Sequence, residues 1–508
     1  MRPGATALRP PGSDRSPTRY RGDLLVLGLE AALLVTAVTV GVVLNRAGVG
    51  LYADAAPLYA TWRPHLGWGT PAALAVAVAV VGPGTGWART ARWGPLLSVG
   101  YLAAVGWTLA LALVDGWSVG LTRRLTPQAE YLHEVPRVTD VRRMLAGFAD
   151  RILDFQPDSW STHTAGHPPG ALLVFVGLDR VGLGGGTAAS LACVLVGASV
   201  VVSVPIALRA LGAGEAARTV LPFLVLLPGA VWVGASADGL FTGVTAAGLV
   251  LLAVRGPVTA LAGGVLLGFA LYLSYGFVLV APLALVMLAL RPSGRGVALL
   301  AGAAGVATVV VAFTIAGFHW WQGYDRVVER YYQGWAADRP YGYWVWANLA
   351  ALLLSAGPVV GPALRRTLRL ARRVRRASAG PAELTALGPP VDGPGRATVS
   401  ERDRSDQPCG SGGGLRARDL VRHRRLGALV PRIEALGPTV LLPAAAVLAV
   451  AAADLSGMSK AEVERIWLPF AVWLLVAVAH LPAPARRWWL AGQAVTALAV
   501  NHLLFTVS

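Results

Sequence analysis

Apolar residues run along this chain in long unbroken stretches, not in strict alternation or in narrow helical stripes. A hydrocarbon layer of ~30 Å takes about 20 helical residues to cross. Runs near that length fall at 23–45, 67–84, 95–115, 186–208, 219–236, 240–254, 257–274, 276–290, 297–317, 343–364, 437–453, 466–483 and 488–506. The pattern predicts an all-α polytopic membrane protein with about 13 transmembrane helices. The first run follows arginine-rich sequence and lacks a small-residue cleavage site, so it reads as a retained anchor. One further run, 168–184, opens with Pro168-Pro169-Gly170, and its place is decided by the arginines around it.

With a cytoplasmic N-terminus, Arg89 and Arg92 fall inside. If 168–184 does not cross, Arg209, Arg218, Arg255, Arg291, Arg295, Arg486 and Arg487 fall inside as well. If it crosses, all of those later groups land outside. Positive charge gathers on the cytoplasmic side. The expectation is therefore that 168–184 is a shallow or re-entrant helix on the outer face, and that a second interfacial helix covers 139–155. There, Val141, Met144, Leu145, Phe148, Ile152 and Phe155 recur at helical spacing. Thr139 is the expected cap of that helix, with Asp140 in its first turn and Asp150 and Asp154 on its wet face.

Composition confirms the class. Apolar residues are 55% before the 60 glycines are counted, and charged residues are 14%, against about 25% in soluble domains. A soluble globule cannot cover that much apolar surface. Cys193 lies in an apolar run and Cys409 in a polar stretch, which excludes a disulfide framework. The net charge of +17 is concentrated: residues 1–22 hold five Arg and one Asp, and residues 365–436 hold sixteen Arg and seven acids. Charge at the flanks of apolar runs marks membrane borders and does not form a groove for nucleic acid. The chain divides into a basic cytoplasmic tail (1–22), a transmembrane hairpin (23–94), a core (95–365), a disordered basic cytoplasmic linker (366–436) and a three-helix region (437–508). Internal repeats of the kind that build many transporters are not evident.

This topology gathers ionisable side chains on the outer side. Asp54 lies in the loop 46–66. Glu130, His163 and His167 lie in the loop 116–185, Arg330 and Arg339 in 318–342, and Lys460 and Arg465 in the last outer loop. Asp238 and Tyr275 sit in tight turns between spans. Ionisable groups at membrane depth are costly and mark a path or a site. Plainer readings stand beside these. Ser459-Lys-Ala-Glu462 matches a capping box, which makes Glu462 structural. Arg465 reads equally as a snorkelling anchor or a phosphate clamp. The spacing His163-Thr-Ala-Gly-His167 suits a metal, but no further ligand motif accompanies it, and no metal site is assigned. Lys460 is the single lysine beside forty-three arginines.

Ala129-Glu130-Tyr131-Leu132, the 139–155 segment and His167-Pro168-Pro169 stand in an order that resembles the GT-C superfamily of membrane glycosyltransferases. That group includes protein O-mannosyltransferases and the lipid A aminoarabinose transferase. The likeness covers roughly 95–365; Ala129 stands where the family often has a second acid, and two spans precede the catalytic-type loop where many relatives have one. The resemblance implies a GT-C-like fold and an inverting transfer of a sugar from a polyprenyl-phosphate donor to a glycan, lipid or protein hydroxyl. It places the active site on the outer face of the plasma membrane, with a divalent cation (Mg or Mn) as candidate cofactor. Such transfer needs a carboxylate to take the acceptor proton and cations to stabilise the departing phosphate. Glu130 is the expected base and Asp54 its rival. Arg330, Arg339, Lys460 and Arg465 are candidates for the phosphate, and His163, His167, Asp238 and Tyr275 for other substrate contacts. The competing class is a multi-span transporter of a polar or lipid-linked solute, which predicts ionisable groups spread through the midplane.

Overall fold

A computed structural model describes residues 18–378 and 435–506. These residues are mostly helical, as their apolar runs and lack of alternation require. Among the described residues six helices are long and apolar enough to cross a membrane: Tyr20–Arg46, Thr70–Thr90, Trp93–Ala112, Gly186–Ala210, Arg295–Ile315 and Pro438–Leu455. A seventh is obtained if Tyr341–Ala356 and Val360–Arg376, bent by 99°, are taken as one span. Many apolar side chains on these helices point outward, among them Leu24, Leu29, Val78, Leu102, Leu300 and Ile315. Apolar surface on that scale is stable against lipid and costly against water.

The count of thirteen is not carried by the structure. Four expected spans fall on shorter apolar helices, Asp238–Ala253, Pro257–Leu273, Tyr275–Leu290 and Leu468–His480, each of 10–17 residues. The run 219–236 breaks into Gly214–Val225 and Ala230–Val233, because Pro228 disfavours helix at the residue before it. The last run is the helix Arg486–Leu503, which opens on two arginines and gives way to a strand. The run 168–184 is the helix Pro169–Arg180, with proline at its first position. At 12 residues it is about 18 Å long, too short to cross.

Segment 139–155 is not one helix. Asp140, not Thr139, caps a helix of six residues, Val141–Ala146, by accepting from the Arg143 amide at 3.1 Å. Gly147 ends it and a single 3-10 turn, Ala149–Arg151, follows. The helix Val360–Ser378 also carries regular structure past the expected linker start at 366. The rest of the linker, 379–434, and the tail up to residue 17 lie outside the described residues.

Close packing through small residues fixes the bundle. A Cβ on Gly264 would lie 2.0 Å from the Gly302 carbonyl oxygen, so Pro257–Leu273 and Arg295–Ile315 meet backbone to backbone. A Cβ on Gly243 would lie 2.0 Å from the Val196 oxygen, which lets Asp238–Ala253 lean on Gly186–Ala198. Such contacts drive helix association where lipid offers no hydrophobic gain, and the second sets the position of Asp238. The strands Ala60–Trp62 and Leu504–Thr506 pair antiparallel, with Thr61 opposite Phe505. That pairing ties the first long loop to the last described residues.

Candidate functional site: a buried ionic network

Two stretches of the 116–185 loop lie side by side. The His163 amide donates to the Ala129 oxygen at 2.9 Å, and the Ser161 amide to Glu134 Oε1 at 2.9 Å. Glu134 is fully enclosed and also meets Arg137 at 3.3 Å. It is the brace that holds Glu130 against His163. Glu130 precedes the 3-10 turn Tyr131–His133 and is 3% exposed. Its Oε1 lies 2.7 Å from His163 Nδ1. His163 Nε2 lies 3.3 Å from Arg465 Nη2. A guanidinium can only donate, so Nε2 presents its lone pair to Arg465, while Nδ1–H points to Glu130.

Arg465 is the hub. Its Nη1 donates to Asp238 Oδ2 at 2.8 Å, and its Nη2 to Glu462 Oε2. Arg465 is 7% exposed and Asp238 5% exposed, whereas Glu462 and His163 keep 26% and 20% of their side chains open. Burial opposes charge on Arg465, but Glu462, Asp238 and Glu130 more than offset it and push its pKa up. Burial alone would raise Glu462; Arg465, Arg339 and His163 overcome that and hold it below the ordinary carboxylate value. Arg465 and Glu462 thus stabilise each other's charged forms.

Arg339 extends the network and closes it. Its Nη1 stands 3.7 Å from Glu462 Oε1 and donates to the Lys460 oxygen at 2.8 Å. Its Nε and Nη2 donate to the Leu51 and Tyr52 oxygens, each at 3.2 Å. The backbone it grips is strained. Among the described residues six non-glycine positions have positive φ, and five of them, Tyr52, Ala55, Leu58, Ala461 and Glu462, lie in the two segments Arg339 joins. Left-handed non-glycine backbone costs about 1–3 kcal/mol per residue and persists where surrounding contacts enforce it, most often at functional sites.

The structure therefore brings together Glu130, His163, Asp238, Arg339, Lys460 and Arg465, with His167 in the next layer. Lys460 Nζ donates to the Ala336 oxygen at 2.8 Å and lies 5.4 Å from the Tyr332 ring. Burial and the neighbouring Arg339 push its pKa down. His167 Nδ1 meets the His163 oxygen at 2.8 Å, and its ring packs edge-on to Tyr131. Burial pushes its pKa down, against the Asp238 charge.

Three candidates lie apart. Asp54 is exposed and its carboxylate makes none of the network's contacts. Arg330 is engaged by Asp154 at 2.6 Å, so Asp154 serves that pair instead of a solvated helix face. Tyr275 packs among Trp320 and Tyr324. Glu462, read as a capping residue, is a central member: it sits at φ +63, outside any capping box, and turns to Arg465 and Arg339. Glu464 joined no sequence motif. It is buried with its carboxyl near the Tyr59 amide, and burial, reinforced by the Glu462 charge, pushes it up to about 7.

The residues present do not fit a divalent cation. His163 has its two nitrogens directed to Glu130 and Arg465, and Asp238 and Glu462 share one guanidinium. Among the described residues no group of three or more His, Cys, Asp or Glu is arranged to hold a metal ion. A cavity of about 280 Å³ opens nearby, walled by Leu132, Val135, Phe175, Leu178 and Leu183, with His133 and Asp179 beside them. Phe175 stacks on Tyr131 at 5.3 Å, and Tyr131 meets His163 at 6.3 Å. Compared with family models, curated proteins and solved structures, the chain has no match.

Proposed function

We propose that this chain is an integral membrane glycosyltransferase that moves a sugar from a polyprenyl-phosphate donor to an acceptor hydroxyl. The observation that carries the proposal is the Glu130–His163–Arg465 line, in which a carboxylate-backed imidazole faces a guanidinium. Base and cation touch at 3.3 Å in the structure, so acceptor and donor must part them on binding.

In this reading the acceptor hydroxyl enters between His163 Nε2 and Arg465. Its oxygen attacks the anomeric carbon as the bond from that carbon to the phosphate oxygen breaks, and the phosphate leaves with the electron pair. The hydroxyl proton passes to Nε2, and the Glu130 carboxylate stabilises the imidazolium that forms. Arg465 faces the charge that grows on the phosphate. Asp238 and Glu462 hold that guanidinium in position. Glu130, expected as the base, acts from behind His163, because it is the more enclosed of the two. Arg339, bonded to the Leu51, Tyr52 and Lys460 oxygens, and Lys460, bonded to the Ala336 oxygen, hold the loops around the site. The apolar cavity beside Tyr131 suits isoprenoid carbon. The outer face of the plasma membrane is the side this reading assigns to the site.

The test is donor turnover by purified protein in lipid nanodiscs, with radiolabelled polyprenyl-phosphate pentose and hexose as probes. Release of polyprenyl phosphate by the native chain, lost in His163→Gln, supports the reading. Translocation of intact donor across a vesicle without release would replace it with a transporter.

A further inference from the structure

The helix Val360–Ser378 leaves the 16-residue apolar helix Tyr341–Ala356 at 99°. The break falls at Gly357, whose φ of +88° suits glycine. A helix at right angles to a spanning one lies along the membrane plane.

Its two halves differ. In the first, Pro362, Ala363 and Thr367 are buried, the Gly361 amide donates to Glu30 at 2.8 Å, and Arg365 and Arg366 hold Asp23. In the second, Arg369, Arg372, Arg373, Arg375 and Arg376 are all exposed, and none has an ion pair among the described residues. Leu368 is 51% exposed beside them. Wound at about 100° per residue, Leu364, Leu368, Ala371 and Val374 share one face. Six of the seven arginines take the opposite face, and the helix holds no acid.

The cluster around Asp23 and the ionic network lie at opposite ends of the helix Thr18–Arg46. Twenty-three residues of rise from Asp23 to Arg46 make about 35 Å, and the loop 51–59 that Arg339 grips follows Arg46. A bilayer is about that thick.

We propose that the second half of this helix docks on anionic phospholipid headgroups, in the membrane interface on the side opposite the ionic network. The five free guanidinium groups meet phosphates bidentately, and Leu368, Ala371 and Val374 enter the acyl boundary. The occupant is a lipid surface because charge and apolarity are divided lengthwise along one helix, as a planar interface requires. This proposal does not depend on the transferase reading.

The test uses the full chain with Cys193→Ala and Cys409→Ala, and Val374→Cys carrying an environment-sensitive dye. The chain is placed in nanodiscs of phosphatidylcholine alone or with one-third phosphatidylglycerol. The expected result is a blue shift and quenching by headgroup-level nitroxide lipid that appear with phosphatidylglycerol. They should be lost when Arg369, Arg372, Arg373, Arg375 and Arg376 are all changed to Gln. That variant keeps the Asp23 contacts, so its unfolding temperature should stay near native. Native mass spectrometry of the unlabelled chain should show phosphatidylglycerol retained about tenfold better by native protein than by the variant. Equal emission in both lipids, equal retention by both chains, or a shift only on adding soluble protein would overturn the proposal.

Discussion

Two buried clusters of carboxylates and guanidinium groups sit at opposite ends of the first helix, and they are built differently. At Asp23 the donors converge on one acid: Arg365 Nη1 at 2.6 Å, Arg366 Nε at 2.8 Å, and Arg366 Nη2 beside it. The partners sit on two regular helices, and the acid is sealed. In the ionic network one guanidinium is divided among Asp238, Glu462 and an imidazole. Its members come from five loop or helix-end segments, one of them on strained backbone, and two side chains stay partly open. Enclosed charge is common to both, and so does not mark a site. Shared charge with an accessible imidazole, held by loops, is what the proposed transfer rests on.

The largest effect that would sharpen the contrast is on turnover. His163→Gln should lower sugar transfer by about 10²–10⁴-fold, the usual contribution of a positioned base. Its unfolding temperature in detergent should change little, since the ring is partly open and Gln keeps polar contacts. Asp23→Asn should do the reverse, with transfer per folded molecule unchanged and stability lowered by about 1–3 kcal/mol, read by thermal unfolding.

Arg465→Met should fail in both assays. It leaves Asp238 buried without its cation and Glu462 with only the more distant Arg339, and breaking a buried pair costs about 3–5 kcal/mol. Adding Asp238→Asn should return part of that stability and none of the transfer, which would separate Arg465's structural role from its chemical one.

A smaller effect concerns pH. Glu464 is raised in the folded chain to about 7 from 4.5, so the folded state binds its proton more tightly than the unfolded state. The stability this brings is full below about 4.5 and is lost as pH rises through about 7. Glu464→Gln should therefore match native protein near pH 4.5 and be more stable at pH 8, by an amount on the order of 2–3 kcal/mol. Thermal unfolding at the two pH values measures it, and identical curves would show that burial of the Glu464 carboxyl carries no such cost.

The helical class was legible because hydropathy acts through composition, and its runs survive any packing. Span number was less so, since an apolar run reads the same whether it crosses lipid or is interrupted, as Pro228 interrupts 219–236. Glu130, His163, Asp238 and Arg465 stood out as ionisable groups beside apolar runs. Their convergence did not, because it depends on contacts between residues more than 200 positions apart, Asp238 with Arg465. Glu462 was misread for a local reason. Ser459-Lys-Ala-Glu462 has the letters of a capping box, but Ala461 and Glu462 take positive φ, which no sequence pattern for a helix start anticipates. The carbonyl bonds of Arg339 were not legible either, because sequence cannot show how many backbone oxygens a guanidinium serves.

The most direct measurement is release of polyprenyl phosphate from labelled donor by four purified proteins in parallel: native, Glu130→Gln, His163→Gln and Asp23→Asn. The account predicts release by native and Asp23→Asn protein and near-complete loss in the other two, with all four folded. Equal release by all four, or none by the native chain with any pentose or hexose donor, would contradict it.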